Sequence, residues 1–592
     1  MPLRIRLTHL NNARAKSMAR REVLKSLRRL TRHSKPWPVA ILLATGILMG
    51  APSLGRPQTI PDAGVLQQQP QQHIEQERRE RLPAQAPSPA PVPPIHEPSP
   101  QAETVWVNDY RFEGNTLLTD EQLQSVVALY AGRRADLTLL REAAAAVADR
   151  YRKAEWIVRA YLPQQDVSDG HILIAIVEAR VGEVALDDPP PTRVRPEHVL
   201  GPVQRSLTPG HYLNTTALDR GLLLAGDLAG VRVSGALEAG AQQAETNVHV
   251  TAANQRPVHG EFSVNNAGLR ATGPIQGLAN VRIESPFHRG DRLALTGLFS
   301  EGSQYGRVGY TRPVGYDGWQ VGASASWLGY NLVAPEFASL NATGNAQSLG
   351  LEALYPVIRA RNYNLQWLMN YDYRRFSNHA ANVQQSNYQI HEGTVGMSGN
   401  WFEEVLGTPG VTSGSLSLVT GQVDQGNRQV GENPAVAGAF TKLRWYVSRQ
   451  QQLIPWLSLF GSFLGQKSFS TMDSAERFYL GGPQNVRAFP VNEASGSTGW
   501  LATAEVRGQL PWGFDLTGFF DTGYVENSAT IGPSYTLKGG GFSVSWHSPW
   551  GIALNATWAH RLGDNPNPTA TGKDQDGSFM RDRVWLSASY AF

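Results

Sequence analysis

From about His259 to Phe592, apolar residues alternate with polar or small ones along short segments, and clusters of Gly, Asn, Asp and Pro separate one segment from the next. WQVGASASWLGY (319–330), GSLSLVTGQV (414–423), PWLSLFGSFLGQK (455–467) and GIALNATWAH (551–560) show the pattern. Successive side chains of a strand point to opposite faces, so each segment predicts a strand with one apolar and one polar face. The polar faces are too rich in small residues to fill the thick core of a soluble sandwich of this size. They suit a transmembrane β-barrel, with apolar residues toward lipid and polar or small ones toward the lumen. Counting segments gives about sixteen antiparallel strands over residues 257–592, a number that closes without leaving an unpaired edge. Twelve of the fifteen tryptophans fall in this part, as aromatic girdles require.

Upstream the period changes. Residues 104–181 read as one compact α+β module: a strand from VWVNDYRF, a helix from Thr119 to Tyr130, and a second helix from Leu137 to Ala154. Thr119 or Asp120 caps the first helix and Asp136 the second. Two β-rich runs, Trp156–Leu162 and Ile172–Val181, follow around a turn containing Asp-Gly. The order β-α-α-β-β recurs over residues 182–256, so two tandem copies of one module precede the barrel. Residues 83–103 form a linker, with eight prolines between positions 83 and 100. Within 56–82, HIEQERRERL (73–82) could form a short helix once past Pro70, although its composition favours a disordered tail.

Composition narrows the function. The net charge of +3 misleads, because residues 1–38 hold eleven Lys/Arg against one acid; the remainder has 42 basic and 49 acidic residues, net −7. That balance disfavours a nucleic-acid binder. The apolar run Val39–Met49, preceded by basic residues and followed by small ones, is too short to span a bilayer, which takes ~20 residues. It predicts a signal peptide over residues 1–55 of the Sec type, although Arg20-Arg21 superficially resembles a twin-arginine signal. There is no cysteine, so disulfides and thiolate chemistry are excluded. No Walker loop or Rossmann fingerprint occurs, and His391-Glu392 is followed by no second histidine at metal spacing. The expectation is no enzyme, no metal and no cofactor.

One constellation remains. In FYLGGPQNVRAFPVNEASGSTGW (478–500), Arg487 sits between apolar neighbours on a Gly-rich connection. Strand counting makes this the extracellular loop between the eleventh and twelfth strands, within a connection spanning 468–500. Farther on, Phe519, Asp521 and Gly523 share one strand face, while Leu516, Phe520 and Tyr524 share the other, which suits lipid. Asp521 is therefore expected in the lumen, where an arginine is its best-shaped partner. Two readings stand: an inward-folding loop that pairs Arg487 with Asp521, or a solvated Arg487 and a channel-lining Asp521.

The whole predicted mature chain resembles the two-partner secretion transporters of Gram-negative outer membranes, the haemolysin/filamentous-haemagglutinin secretion class. Gly481-Gly482 with Val486-Arg487-Ala488-Phe489 resembles that family's Val-Arg-Gly-Tyr/Phe loop motif, and Phe519-Phe520-Asp521-Thr522-Gly523 its Phe-x-Asp-x-Gly strand motif. Ala488 departs from the motif's glycine, which bears on the turn at the loop tip. The chain ends in VWLSASYAF, and Tyr590 with Phe592 resembles the sorting signal read by the barrel-assembly machinery. The resemblance implies two POTRA modules, a plug helix and a 16-stranded barrel. It also implies export of a large exoprotein (an adhesin, a haemolysin or a contact-dependent inhibition toxin) from the periplasm to the cell surface. A barrel insertase of the same superfamily and a passive porin are the alternatives. Two modules, rather than the larger number usual in insertases, favour export, and a porin has no use for them.

Overall fold

A computed structural model describes residues 60–80, 82, 104–405, 407–425, 436–527 and 533–592. The expected signal peptide and the Pro-rich linker at 83–103 lie outside these residues.

The first described element is a helix, α1 (Ala63–Glu80). It starts ten residues before the expected 73–82 and carries Pro70 in its interior. A proline there removes one helical hydrogen bond and crowds the preceding turn, at a cost of ~3 kcal/mol. Tertiary contacts outweigh it: Ala63, Leu66, Gln67 and Pro70 are buried inside the barrel. Asp62 caps the helix by accepting from Val65 N–H at 2.9 Å.

Two modules follow. The first contains β1 (Val105–Val107), β2 (Asp109–Glu113), α2 (Asp120–Val127), β3 (Arg133–Ala135), α3 (Leu137–Lys153), β4 (Val158–Tyr161) and β5 (His171–Glu178). Thr119 and Gln122 form a reciprocal capping box, and Asp136 caps α3 through Leu139 N–H. The single strand expected from VWVNDYRF is divided, and β1 pairs with β3 rather than joining the main sheet. That sheet runs β2-β5-β4, with β2 parallel and β4 antiparallel to β5. Glu178 ties the turn before α2 to this sheet, accepting from Thr116 N–H at 2.7 Å, Leu117 N–H at 2.8 Å and Tyr151 Oη–H at 3.0 Å. Burial raises its carboxyl, and these hydrogen bonds outweigh burial and leave it below the usual carboxylate range.

The second module contains β6 (Arg180–Leu186), α4 (Pro196–Ser206), α5 (Thr215–Gly226), β7 (Val231–Ala239) and β8 (Glu245–Asn254), in sheet order β6-β8-β7. Its last strand again occupies the centre, as in the first module. β6 starts at Arg180, two residues ahead of the expected boundary, because Arg180 and Val181 already pair with β8. Ion pairs join this module to periplasmic turns of the barrel: Asp219 with Arg361 at 2.6 Å, and Asp227 with Arg359 at 2.8 Å.

The barrel is closed and has sixteen antiparallel strands. They are β9 (Val258–Asn265), β10 (Gln276–Glu284), β11 (Arg292–Ser300), β12 (Ser303–Val314), β13 (Trp319–Asn331), β14 (Thr343–Arg359), β15 (Tyr363–Ala380), β16 (Val383–Val405), β17 (Thr408–Asp424), β18 (Gly438–Ile454) and β19 (Leu457–Ser468). After a connection holding the two-stranded ribbon β20 (Phe478–Leu480) and β21 (Ala494–Gly496) come β22 (Thr498–Leu510), β23 (Phe514–Glu526), β24 (Tyr535–His547), β25 (Ile552–Arg561) and β26 (Asp582–Ala591), which closes on β9. On β26, Val584, Leu586 and Tyr590 are exposed outward while Trp585 is buried in the lumen. Phe592 also faces out, stacked on Phe262 at 5.8 Å between ring centres.

Candidate functional site

The connection between β19 and β22 folds down into the barrel instead of standing out from it. Gly481 and Gly482 make its turn at φ +100° and +96°, a region closed to residues with a Cβ. At the tip, Val486, Ala488 and Phe489 are buried against the wall. Ala488 adopts no positive φ, so the alanine costs nothing in backbone strain. Its methyl instead fills space left by Gly539 of β24, where an added Cβ would lie 2.4 Å away. Gly523 likewise leaves room for Leu480.

Arg487 reaches β23. Its Nε–H donates to Asp521 Oδ2 at 2.8 Å and its Nη2–H to Asp521 Oδ1 at 2.7 Å, a bidentate fork. The Arg487 backbone N–H also donates to Asp521 Oδ2 at 3.2 Å, and Thr503 Oγ1–H donates to Oδ1 at 3.1 Å. Asp521 is fully buried, and these donors satisfy both its oxygens. Phe519 shares its face and lies under the guanidinium, 3.5 Å from ring centre to Cζ, whereas Phe520 points out and is 43% exposed.

Sequence reasoning did not find the rest of the tip. Glu505 on β22 binds Arg487 Nη2 at 2.8 Å and Arg507 Nη2 at 2.6 Å, making a neutral group of two cations and two anions. Trp585, on the final strand, donates from Nε1 to the Arg487 carbonyl at 2.8 Å. The alternation in VWLSASYAF, which sets Trp585 on the face opposite Val584, Leu586 and Tyr590, was the available signal. Arg561 of β25 lies over the Phe489 ring at 4.4 Å.

The same connection has a second attachment at its root. A short turn, Ser474–Glu476, buries Glu476 between Arg374 of β15 and Lys442 of β18, with Lys442 Nζ at 2.5 Å. Arg374 also holds Glu392 of β16 at 2.7 Å. Lys442 Nζ and Gln466 Nε2 donate to the Glu476 carbonyl. The root turn also touches α1: Ser474 Oγ–H donates to Asp62 Oδ2 at 2.8 Å, and Gln68 Nε2–H donates to the Ala475 carbonyl.

Helix α1 crosses the lumen. Ala63 N–H donates to Asn378 of β15 at 2.8 Å, Gln69 bonds Gln276 of β10, His73 meets Asn280 of β10, and Glu75 pairs with Arg444 of β18. These walls lie on different sides of the bore. A cavity of about 1240 Å³ remains beside the helix and opens toward the second module, whose Asp227 to Gly230 segment lines it.

A closed sixteen-stranded barrel, POTRA modules at its periplasmic mouth and an inward loop clasped to the wall define an outer-membrane secretion transporter. Residues 244–546 match the model for the haemolysin secretion/activation protein family ShlB/FhaC/HecB, and residues 105–179 match the ShlB-type POTRA domain. The chain belongs to the ShlB/FhaC/HecB family, the transporter half of two-partner secretion systems. It is similar to the heme/hemopexin transporter protein HuxB of Haemophilus influenzae strain 86-028NP, 26% identical over 470 residues, covering 76% of this chain and 82% of the relative. It is also similar to the outer membrane transporter CdiB of Escherichia coli O6:K15:H31 strain 536, 25% identical over 535 residues and 85% of each chain. The solved structure of CdiB from Escherichia coli shares the fold, with a TM-score of 0.66 and 21% identity over 90% of this chain and all of that one. CdiB from Acinetobacter baumannii does so at 0.63 and 17%, with the same coverage. The barrel resides in the outer membrane, the modules lie in the periplasm, and the function is export of a partner exoprotein.

Proposed function

We propose that the POTRA modules capture an unfolded, large exoprotein and that the barrel lumen conducts it to the cell surface after α1 leaves the bore. The observation that carries this reading is α1 itself: one helix crosses the lumen beside an open cavity and is tied to the wall mainly through side-chain contacts. A helix joined to the modules through residues 83–103 can withdraw without unfolding the barrel. The exoprotein is an adhesin, a haemolysin or a contact-dependent inhibition toxin, and the similarity to the transporters HuxB and CdiB supports a partner exoprotein as the cargo. No nucleotide drives the step; folding of the exoprotein outside the cell supplies the direction. The chain moves protein without covalent chemistry or cofactor. The Arg487–Asp521 pair, with Val486, Ala488, Phe489, Phe519 and Gly523 around it, holds the inward loop in the state that supports transport. Tyr590 and Phe592 present the terminal signal to the barrel-assembly machinery, and the outward apolar face meets outer-membrane lipid.

The domain plan that supports this reading is a plug segment over 56–82, a linker over 83–103, modules over 104–181 and 182–256, and a barrel over 257–592. Deleting residues 104–181 tests it: export of the partner exoprotein should be lost while the barrel still inserts and migrates in heat-modifiable form. Unchanged export after that deletion would refute capture by the first module.

A further inference from the structure

Inward-facing arginines of this barrel are nearly all paired. Arg292 binds Glu284, Arg374 binds Glu392 and Glu476, Arg444 binds Glu75, and Arg507 binds Glu505. Each pairing lowers the cost of placing a guanidinium in the lumen and leaves no charge free for a ligand. Arg282 of β10 and Arg307 of β12 differ. Both line the cavity beside α1, and among the described residues neither has a carboxylate within ion-pair distance or a hydrogen-bond acceptor.

Their placement makes one site of two residues. Arg282 is opposite Ala294 of β11, and Ala294 is opposite Gly309 of β12. The Arg307 side chain folds back over Gly309, so that a Cβ built there would lie 3.0 Å from Arg307 Nη1. The two cations therefore flank a floor made of one alanine and one glycine. Their strand columns are two apart, roughly 10 Å at the usual strand spacing. Larger floor side chains would occupy that gap. Arg282 is two residues from the periplasmic end of β10, close to the turn against which the second module docks through Ala229 N–H and the Gly290 carbonyl. Beyond Arg307 the wall continues in hydroxyls, with Ser326 opposite Arg307 and Ser348 opposite Ser326.

We infer that Arg282 and Arg307 form a carboxylate-binding notch at the periplasmic entrance of the lumen, which engages Asp or Glu side chains of an extended polypeptide as it enters. This rests on the export reading and adds a chemical preference to it. Two planar guanidinium forks over a small-residue floor accept a carboxylate at either end of the gap, and the neighbouring wall anion, Glu284, is already taken by Arg292. The serine hydroxyls beside Arg307, Ser326 and Ser348, bond to each other and add no second strong hold on the segment.

The test is equilibrium binding of dye-labelled hexaglutamate to the purified full-length protein in detergent, read by fluorescence anisotropy, with dye-labelled hexalysine as control. The wild type should bind hexaglutamate at least tenfold more tightly than hexalysine, and added salt should weaken that binding. R282Q/R307Q should lose the preference by about tenfold or more while keeping the heat-modifiable migration of a folded barrel. R282K/R307K should keep most of it, and Arg375→Gln, on the outward face of β15, should change nothing. Equal binding of both peptides by the wild type, or undiminished hexaglutamate binding by R282Q/R307Q, overturns the notch. Export is scored separately in cells. A double variant that binds hexaglutamate like the wild type while the native chain exports normally retires the notch alone. A native chain that binds hexaglutamate but exports no exoprotein retires the export reading instead.

Discussion

The inward loop is held by two clusters, each of two cations and two anions, of different construction. At the tip, Arg487, Arg507, Glu505 and Asp521 form a neutral group, and so do Arg374, Lys442, Glu392 and Glu476 at the root. The tip cluster draws its three wall residues from neighbouring strands in register, with Thr503 opposite Asp521 and Glu505 opposite Phe519. The root cluster takes one residue each from β15, β16 and β18 and holds a turn that also contacts α1. The tip is therefore an attachment of loop to wall, whereas the root joins loop, wall and α1. Local geometry makes the tip specific for one loop conformation. The distributed root makes the resting position of the loop depend on the helix.

The largest expected effect comes from removing the most deeply buried member of the tip. Asp521→Ala leaves Arg487 with Glu505 alone, and breaking a buried pair in this way costs about 3–5 kcal/mol. Exoprotein in the culture medium should fall by tenfold or more, with the barrel still heat-modifiable in the membrane. Next is the double reversal Arg487→Asp with Asp521→Arg, which should restore little export. The new aspartate would face Glu505 at the position where the guanidinium now sits 2.8 Å away. Adding Glu505→Gln should recover part of it, and full recovery without that third change would show that Glu505 carries no share of the tip.

At the root, Glu476→Gln should act on the plug rather than on the tip. It leaves Arg374 and Lys442 with one carboxylate between them and loosens the turn that holds Asp62. Planar-bilayer recordings should show several-fold more open time than the wild type, while export falls less than with Asp521→Ala. Closed-state behaviour identical to wild type would mean that the root does not communicate with the helix. The smallest effect should come from Phe519→Leu, which removes the ring beneath Arg487 and keeps the ion pair. A cation–π contact contributes about 1 kcal/mol, so export should drop several-fold at most.

The two clusters also differ in how far they could be read in advance. Asp521 and Arg487 sit in short local patterns whose side-chain parity already turns Asp521 inward. Glu476, Arg374 and Lys442 are separated by long stretches of chain, and each looks like any charge lining a channel. Only closure of the barrel and the inward course of the loop bring them within bonding distance. Helix α1 failed for a related reason: Pro70 and a polar composition argue against a helix when local propensity alone is weighed. Buried contacts with β10, β15, β18 and the root turn reverse that balance.

What the sequence determined by itself is what depends on periodicity and local geometry. Alternation with period two over 257–592 required about sixteen strands and a closed barrel. The capping residues Thr119 and Asp136 located the helices of the first module, and the parity of β23 separated Asp521 from Phe520. Tertiary structure alone decided which groups meet: Glu505 with Arg487, Glu476 with Arg374 and Lys442, and α1 with three walls of the bore. The energy of a charge pair depends on distance and burial, and both are set by closure of the barrel rather than by any neighbouring residue in the chain.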